Sequence, residues 1–326
     1  MFGEPFWFFA EYGEYERRLS AVMISCAMLG MGASLSLRDF ANVFVLWRGF
    51  AIGMAVQILA VPVYAAGFLW LLHQVPEDYS DVAAADMTGV ALGIALMAAM
   101  PGGSTSNLFT FLGRGNVALS VALTAITTFV CLVTTPIVIE LLIAFQIPGE
   151  LEIDALGIVL DIAIYLIVPV VTGMVIGARM KERRQRFTSV MVRISLVLLG
   201  VIVIGSLGAG RLDLPRYGLL GLAAVTLFCL VMQQLAVLVT RATRLDGRDA
   251  LTVVIEVTVK NVLLALLLLT SMFPHAAFAT GDAAHRAVIE AARNGCTYAV
   301  LLYGGISLMA GAVSIVVRRT ALARRG

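Results

Sequence analysis

Long apolar blocks separated by short charged connections dominate this chain. Nine blocks are predicted as membrane-crossing helices, near residues 19–36, 44–73, 83–113, 117–143, 154–178, 188–208, 217–240, 249–272 and 290–317. A helix needs about 20 mainly apolar residues to cross a bilayer, where every backbone polar group must find a partner within the protein. The predicted fold class is therefore an all-α integral membrane protein with nine transmembrane helices.

Two of the blocks are interrupted. In the third, Met100-Pro101-Gly102-Gly103-Ser104-Thr105-Ser106-Asn107 sets a proline and two glycines beside four hydroxyl and amide side chains. Proline removes a backbone donor and clashes with the preceding turn, and glycine adds flexibility, so a helix breaks here. In the eighth, Glu256-Val257-Thr258-Val259-Lys260-Asn261 places a carboxylate, an amine and an amide at membrane depth. Insertion scales put each charged group at roughly 2.5–3.5 kcal/mol, so each must face a polar cavity or a partner. Glu256 and Lys260 sit four apart, and the plain reading is an ion pair on one helical turn. The other reading is functional, because two interrupted helices, one in each half, are the sequence mark of a transporter's binding site.

Composition agrees with a membrane location. Of 326 residues, 60% are hydrophobic and 13% charged, with a mean hydropathy of +0.95; a soluble domain has nearer a quarter charged. A net charge of +2 suggests no nucleic-acid partner. Cys26, Cys131, Cys229 and Cys296 lie in apolar blocks without metal-type spacing and read as inert buried thiols. Residues 1–18 carry Glu4, Glu11, Glu14 and Glu16 and no basic start, unlike a cleavable signal peptide. Their Phe6-Trp7-Phe8-Phe9 patch suits an interfacial, extracytoplasmic segment.

The connections alternate in charge. Arg38 and Arg48, then Arg114, the 179–186 run, Arg241 with Arg244 and Arg248, and the tail Arg318, Arg319, Arg324 and Arg325 are basic. Glu77, Asp78 and Asp81, then Glu150 and Glu152, are acidic, and the 211–216 and 282–286 connections are mixed. Basic loops belong on the cytoplasmic side, which places the N-terminus outside and the C-terminus inside a plasma (inner) membrane. Only an odd number of spans allows that. The broken spans are five apart, so a five-span unit fits: residues 19–143 as a first repeat without its first helix, 154–317 as an inverted second, and 318–326 as a basic cytoplasmic tail. Both broken helices are then fourth in their unit and can cross near the bilayer centre.

The run from Pro101 to Asn107, with Arg114-Gly115-Asn116-Val117-Ala118-Leu119-Ser120-Val121-Ala122-Leu123-Thr124, closely resembles the bile acid:sodium symporter family. So does Met31-Gly32-Ala33-Ser34-Leu35-Ser36-Leu37-Arg38-Asp39-Phe40, which is similar to that family's Met-Gly-x-x-Leu-x-x-x-Asp-Phe signature. The resemblance implies one sodium site drawn from Ser106, Asn107, Ser120, Thr124 and Glu256. Ser120 and Thr124 share a helix face, and oxygen ligands with one carboxylate suit an alkali cation; alternatively these hydroxyls bond only to their own backbone. It implies a second site at Gln57, Glu256 and the carbonyls of Val257 and Val259, with a glutamine where this chain has Lys260. An ammonium has three donors and no acceptor, so it cannot ligate a cation. Its charge could stand in the ion's place, pairing with Glu256, or carry proton coupling. The resemblance places substrate near Gly103, Ser104, Thr105 and Asn261, where a half-helix N-terminus favours an anion.

The expected function is a secondary transporter, sodium-coupled, for a small organic anion such as a carboxylate. No organic cofactor is expected, the partners are substrate and lipid bilayer, and the protein is a monomer or a homodimer. A carrier or exporter of the same fold without sodium coupling competes, favoured by Lys260, and a membrane receptor or enzyme is the third class. Asp161 and Arg193 read as an interhelical pair. Gln233 and Gln234 either bond between helices or line a cavity, and His73, His275 and His285 read as solvated. No catalytic Ser/His/Asp cluster, metal-thiolate site or phosphate-binding glycine loop emerges.

Overall fold

A computed structural model describes residues 12–74, 81–143, 155–180, 182–212, 214–273 and 283–323. The expected aromatic patch at 6–9, Glu77, Asp78, Glu150, Glu152, His275, Asp282, Arg324 and Arg325 lie outside these residues. In order come α1 (Tyr12–Ser34), α2 (Leu37–Val45), α3 (Trp47–His73), α4 (Asp81–Ala99), α5 (Ser104–Leu112) and α6 (Val117–Ile143). They are followed by α7 (Leu156–Arg179), α8 (Arg184–Gly208), α9 (Leu214–Ala242), α10 (Gly247–Thr258), α11 (Val262–Met272) and α12 (Ala283–Ala323). The described residues are all-helical apart from connections and one isolated bridge. Six helices, α3, α6, α7, α8, α9 and α12, are long and apolar enough to cross a membrane. This is an integral membrane protein.

Both predicted breaks are present. The third block divides into α4 and α5 around Met100–Gly103, and the eighth into α10 and α11 around Val259–Asn261. Two other helices widen for a few residues instead. α3 and α7 contain π-turns at Val56–Ala60 and Ala163–Ile167, each followed closely by a proline, Pro62 and Pro169. A proline ring meets the carbonyl four residues earlier, and the wider turn relieves that contact without ending the helix. The Ser36-to-Asp39 part of the N-terminal signature starts α2, since Asp39 Oδ2 accepts from both the Ser36 amide and hydroxyl at 2.7 Å.

The first helix begins earlier than expected, at Tyr12 rather than near residue 19, and takes part of the expected interfacial segment into the fold. Partners account for this. Glu16 pairs with the buried Arg211, whose guanidinium also lies over the Tyr12 ring, and the Tyr12 hydroxyl donates to the Ile202 carbonyl at 3.1 Å. Arg17 pairs with Asp161 at 2.9 Å and reaches Ser271 at 3.0 Å. The expected Asp161–Arg193 pair is thus not formed: Arg193 is exposed, and Arg17 takes its place. Arg216 and Asp86 join α9 to α4 at the same end of the molecule, 2.8 Å apart. At the opposite end gather Arg114, Arg241, Arg248, Arg318 and Arg319.

Close helix approach rests on small residues, as it does where lipid and core are equally apolar. α1 crosses α7 where Gly32 meets the Val170 backbone and Gly173 meets the Leu29 carbonyl. α4 lies against α12 where Gly89 meets the Ala292 carbonyl and Gly295 the Asp86 carbonyl.

Candidate functional site

The two breaks lie against one another. Gly102 and Lys260 form an antiparallel bridge, in which the Gly103 amide donates to the Val259 carbonyl at 2.9 Å and the Asn261 amide to the Pro101 carbonyl at 3.0 Å. Interrupting a helix orphans backbone donors and acceptors on each side. At membrane depth the two interrupted segments satisfy one another, which is why neither break would be stable alone. The Asn261 side chain caps the following half-helix by accepting from the Leu264 amide at 3.1 Å. Tyr303 on α12 donates to the Thr258 carbonyl at 2.7 Å, supporting the end of α10. Tyr303→Phe is expected to lower stability by about 1 kcal/mol, seen as a reduced thermal midpoint in detergent with helix content unchanged.

Glu256 reaches across this crossing rather than along its own helix. Its carboxylate is 2.6 Å from Ser106 Oγ on α5, with Ser120 Oγ at 3.1 Å and Thr124 Oγ1 at 2.6 Å on α6. All four side chains are buried. Ser106 Oγ also lies 2.6 Å from the Gly103 carbonyl, and Thr124 Oγ1 lies 2.9 Å from the Ser120 carbonyl and 3.4 Å from Asn107 Oδ1. Thr110 donates to Ser120 at 3.2 Å behind them. Ser106, Asn107, Ser120, Thr124 and Glu256 are therefore brought together, and the hydroxyls do more than bond to their own helix. The cluster is short of protons. Three hydroxyls, each with one proton, face five acceptor oxygens: both of Glu256, the Gly103 and Ser120 carbonyls, and Asn107 Oδ1. Hydroxyls that turn their lone pairs inward and a carboxylate form a hard-oxygen set of the kind an alkali cation takes.

Lys260 does not pair with Glu256. The helix ends at Thr258 and Val259 is non-helical, so the four-residue spacing no longer lies on one turn. Instead Lys260 Nζ donates to the Met100 carbonyl at 3.1 Å, and Gln57 Nε2 donates to the same oxygen at 2.8 Å. That carbonyl stands at the C-terminal end of α4, where the helix dipole is negative and a cation is favoured. Of the second group, the Val259 carbonyl is already paired with Gly103, whereas Gln57 and Lys260 converge on Met100, a partner with no signal in its apolar side chain. The Gln57 Oε1 atom is buried with no hydrogen-bond partner.

The substrate group is divided. Gly103 and Asn261 are buried and their amides are engaged in the crossing, while Ser104 is half-buried and Thr105 exposed at the start of α5. Sequence reasoning missed the role of Gly102: a methyl group there would run into Glu256 Oε1. Its signal, a second glycine where one suffices to break a helix, was present.

Comparisons with known proteins agree on a kind of protein. The family model described as "Sodium Bile acid symporter family" matches residues 21–213, which include the first break but not the second. Over 255 residues the chain is 28% identical to the "Uncharacterized sodium-dependent transporter YocS" of Bacillus subtilis, covering 77% of this chain and 74% of that one. It is 27% identical to the "Probable sodium/metabolite cotransporter BASS1, chloroplastic" of Arabidopsis thaliana, covering 77% of this chain but only 59% of the plant protein. It is 25% identical to the human "Hepatic sodium/bile acid cotransporter", covering 77% and 69%.

Proposed function

The chain belongs to the Sodium Bile acid symporter family, and from that premise we propose that it carries a small organic anion across the membrane together with sodium. The family description and the relatives' names are those of transporters, not enzymes. The observation that carries the reading is the proton-poor oxygen cluster around Glu256, built from α5, α6 and α10 at the crossing. Sodium entering there takes Ser106, Asn107, Ser120, Thr124 and Glu256 as ligands. Its charge then stands beside the start of α5, where Ser104 and Thr105 remain accessible to a carboxylate. Each ion thereby raises the affinity for the other, which is coupling.

The finer architecture follows the same reading. Nine spans arise when α1 and the two broken helices are added to the six long ones. The segment 19–143 is the shorter repeat and 154–317 its inverted counterpart. In this reading α1, α7 and α8 form a panel that rocks against the remaining helices, giving alternating access. The arginine-rich end faces the cytoplasm, with the C-terminal tail, by the positive-inside rule. Inward movement of one charge across 100 mV supplies about 2.3 kcal/mol.

At the second cation position the ammonium of Lys260 replaces an ion. Gln57 Oε1 is the unpaired acceptor there, but it stands beside an ammonium held on the shared Met100 carbonyl, whose charge opposes a second cation, so the carrier moves one sodium per cycle. Uptake in proteoliposomes is then expected to rise with sodium at a Hill coefficient of about 1, increasing toward about 2 in Lys260→Gln. An unchanged coefficient removes the single-site reading. The same lysine supports a second reading, a proton-coupled or sodium-independent carrier of the same fold. Counterflow that proceeds equally in sodium and in potassium, in both wild type and Lys260→Gln, selects it. A thermal-shift screen of organic acids in sodium and in potassium identifies the substrate.

A further inference from the structure

Gln233 and Gln234, which the transport site leaves unused, border a separate cavity. It has a volume of about 350 Å³ and, among the described residues, is lined by α9, α10 and α12. Gln233 is buried and donates to the Ala310 carbonyl at 3.0 Å and to Ser314 Oγ at 2.9 Å, so it both ties α9 to α12 and forms part of the wall. No residue of the crossing lines it, and no residue of α1, α7 or α8 does. It is therefore distinct from the cluster around Glu256 and from the contact between the two helix groups.

The lining is divided by chemistry. Arg241 in the last turn of α9 and Arg318 near the end of α12 lie at the arginine-rich end of the molecule. Arg318 donates through Nη1 to the Gly247 carbonyl, while its Nε–H is enclosed without a hydrogen-bond partner. Asp246 caps α10 by accepting from the Arg248 amide and also lies near enough to attract the Arg318 guanidinium, while Arg248 repels it. Away from the arginines the walls are Val237, Val254, Val313 and Val317 with Gln233, Gln234 and Ser314 among them, and Val313 and Val317 are each 60% exposed on the outer side of α12. Valines on the outside of a membrane helix face hydrocarbon, and arginines at its end face the headgroup layer.

We propose that this cavity binds an anionic glycerophospholipid, its phosphate held between Arg241 and Arg318 and one acyl chain laid along the valines. A small phosphate monoester would leave the valine wall uncovered, and a neutral amphiphile would leave Arg241 without an anion and Arg318 with Asp246 alone. A phosphodiester with an acyl chain meets both. Arginine at the end of a membrane helix is suited to this contact, since its planar fork donates two parallel bonds to phosphate oxygens.

The test uses the full chain purified in a neutral detergent and titrated with phosphatidylglycerol, phosphatidylcholine, glycerol phosphate or inorganic phosphate. Phosphatidylglycerol is expected to raise the thermal midpoint and to remain as one retained equivalent in native mass spectra. The other three are expected to do neither. Arg241→Gln/Arg318→Gln should weaken retention about tenfold or more, the worth of a charge-assisted hydrogen bond, and Arg318→Lys should restore part of it. Val313→Trp fills the apolar part, leaves both charges, and should weaken retention by a similar factor. Retention unaffected by either variant, equal protection by phosphatidylcholine, or protection by inorganic phosphate alone overturns the proposal. The thermal shift that sodium gives the same samples reports on the Glu256 site, so failure of one reading is distinguishable from failure of the other.

Discussion

Glu256→Gln is expected to abolish sodium-driven uptake and the thermal shift that sodium gives the purified protein. The substitution keeps side-chain size and removes one charge from a buried cluster in which Ser106, Ser120 and Thr124 converge on the carboxylate. A unit charge about 4 Å away is worth about 4 kcal/mol at the effective dielectric of a partly polar site, or near a thousandfold in sodium affinity. The amide also turns an NH₂ group toward hydroxyls that were donating to the carboxylate, adding donors where a cation needs lone pairs. Folding need not suffer, because the new donors fit a cluster with surplus acceptors. The informative result is thus a folded protein with unchanged helix content, no sodium response and no concentrative uptake. Sodium-dependent stabilisation that survives in Glu256→Gln would show that the ion binds elsewhere.

The next largest effect is expected from Gly102→Ala. Gly102 pairs with Lys260 at the crossing, and an added methyl would meet Glu256 Oε1, with Cδ at 2.6 Å and Cγ at 3.1 Å. These are the anchored parts of a side chain held by three hydroxyls, so the carboxylate cannot swing aside without losing its partners. Overpacking of this kind costs about 1–3 kcal/mol. Transport should fall further than stability, by at least about tenfold, because the displaced group is the cation's charged ligand. Gly67→Ala is the control: nothing lies near that position, and alanine is the better helix former, so it should be neutral or slightly stabilising. In Gly102→Ala/Glu256→Asp the shorter acid makes room for the methyl. Stability should then recover in part while sodium dependence does not. Full activity in Gly102→Ala would mean that the close approach is not needed for transport.

How much of this was legible beforehand differs from place to place. The break at Pro101 is local backbone chemistry, a proline with two glycines, whereas the break near Lys260 has neither and was marked only by charged and amide side chains at membrane depth. The gathering of Ser106, Ser120 and Thr124 was half legible: Ser120 and Thr124 share a face by spacing, but their partner lies more than 130 residues away. The Asp161 partner was misread because Arg193 is near in the expected span order, whereas Arg17 enters from a helix that begins earlier than hydropathy suggested. Charges lower hydropathy whether or not they are paired, so a composition profile excludes a stretch that a buried ion pair admits.

The sequence by itself determined the membrane location, the interruption at Pro101 and the polar residues that mark the second, since burial of a chain this apolar, breakage by proline and glycine and the cost of charge at membrane depth depend on residue type alone. Only the tertiary structure decided which carbonyl Lys260 meets, why Glu256 turns away from it, and why Gly102 has no side chain. Those follow from two distant segments crossing at one point, where each satisfies the backbone groups the other leaves bare, and no local rule contains that geometry.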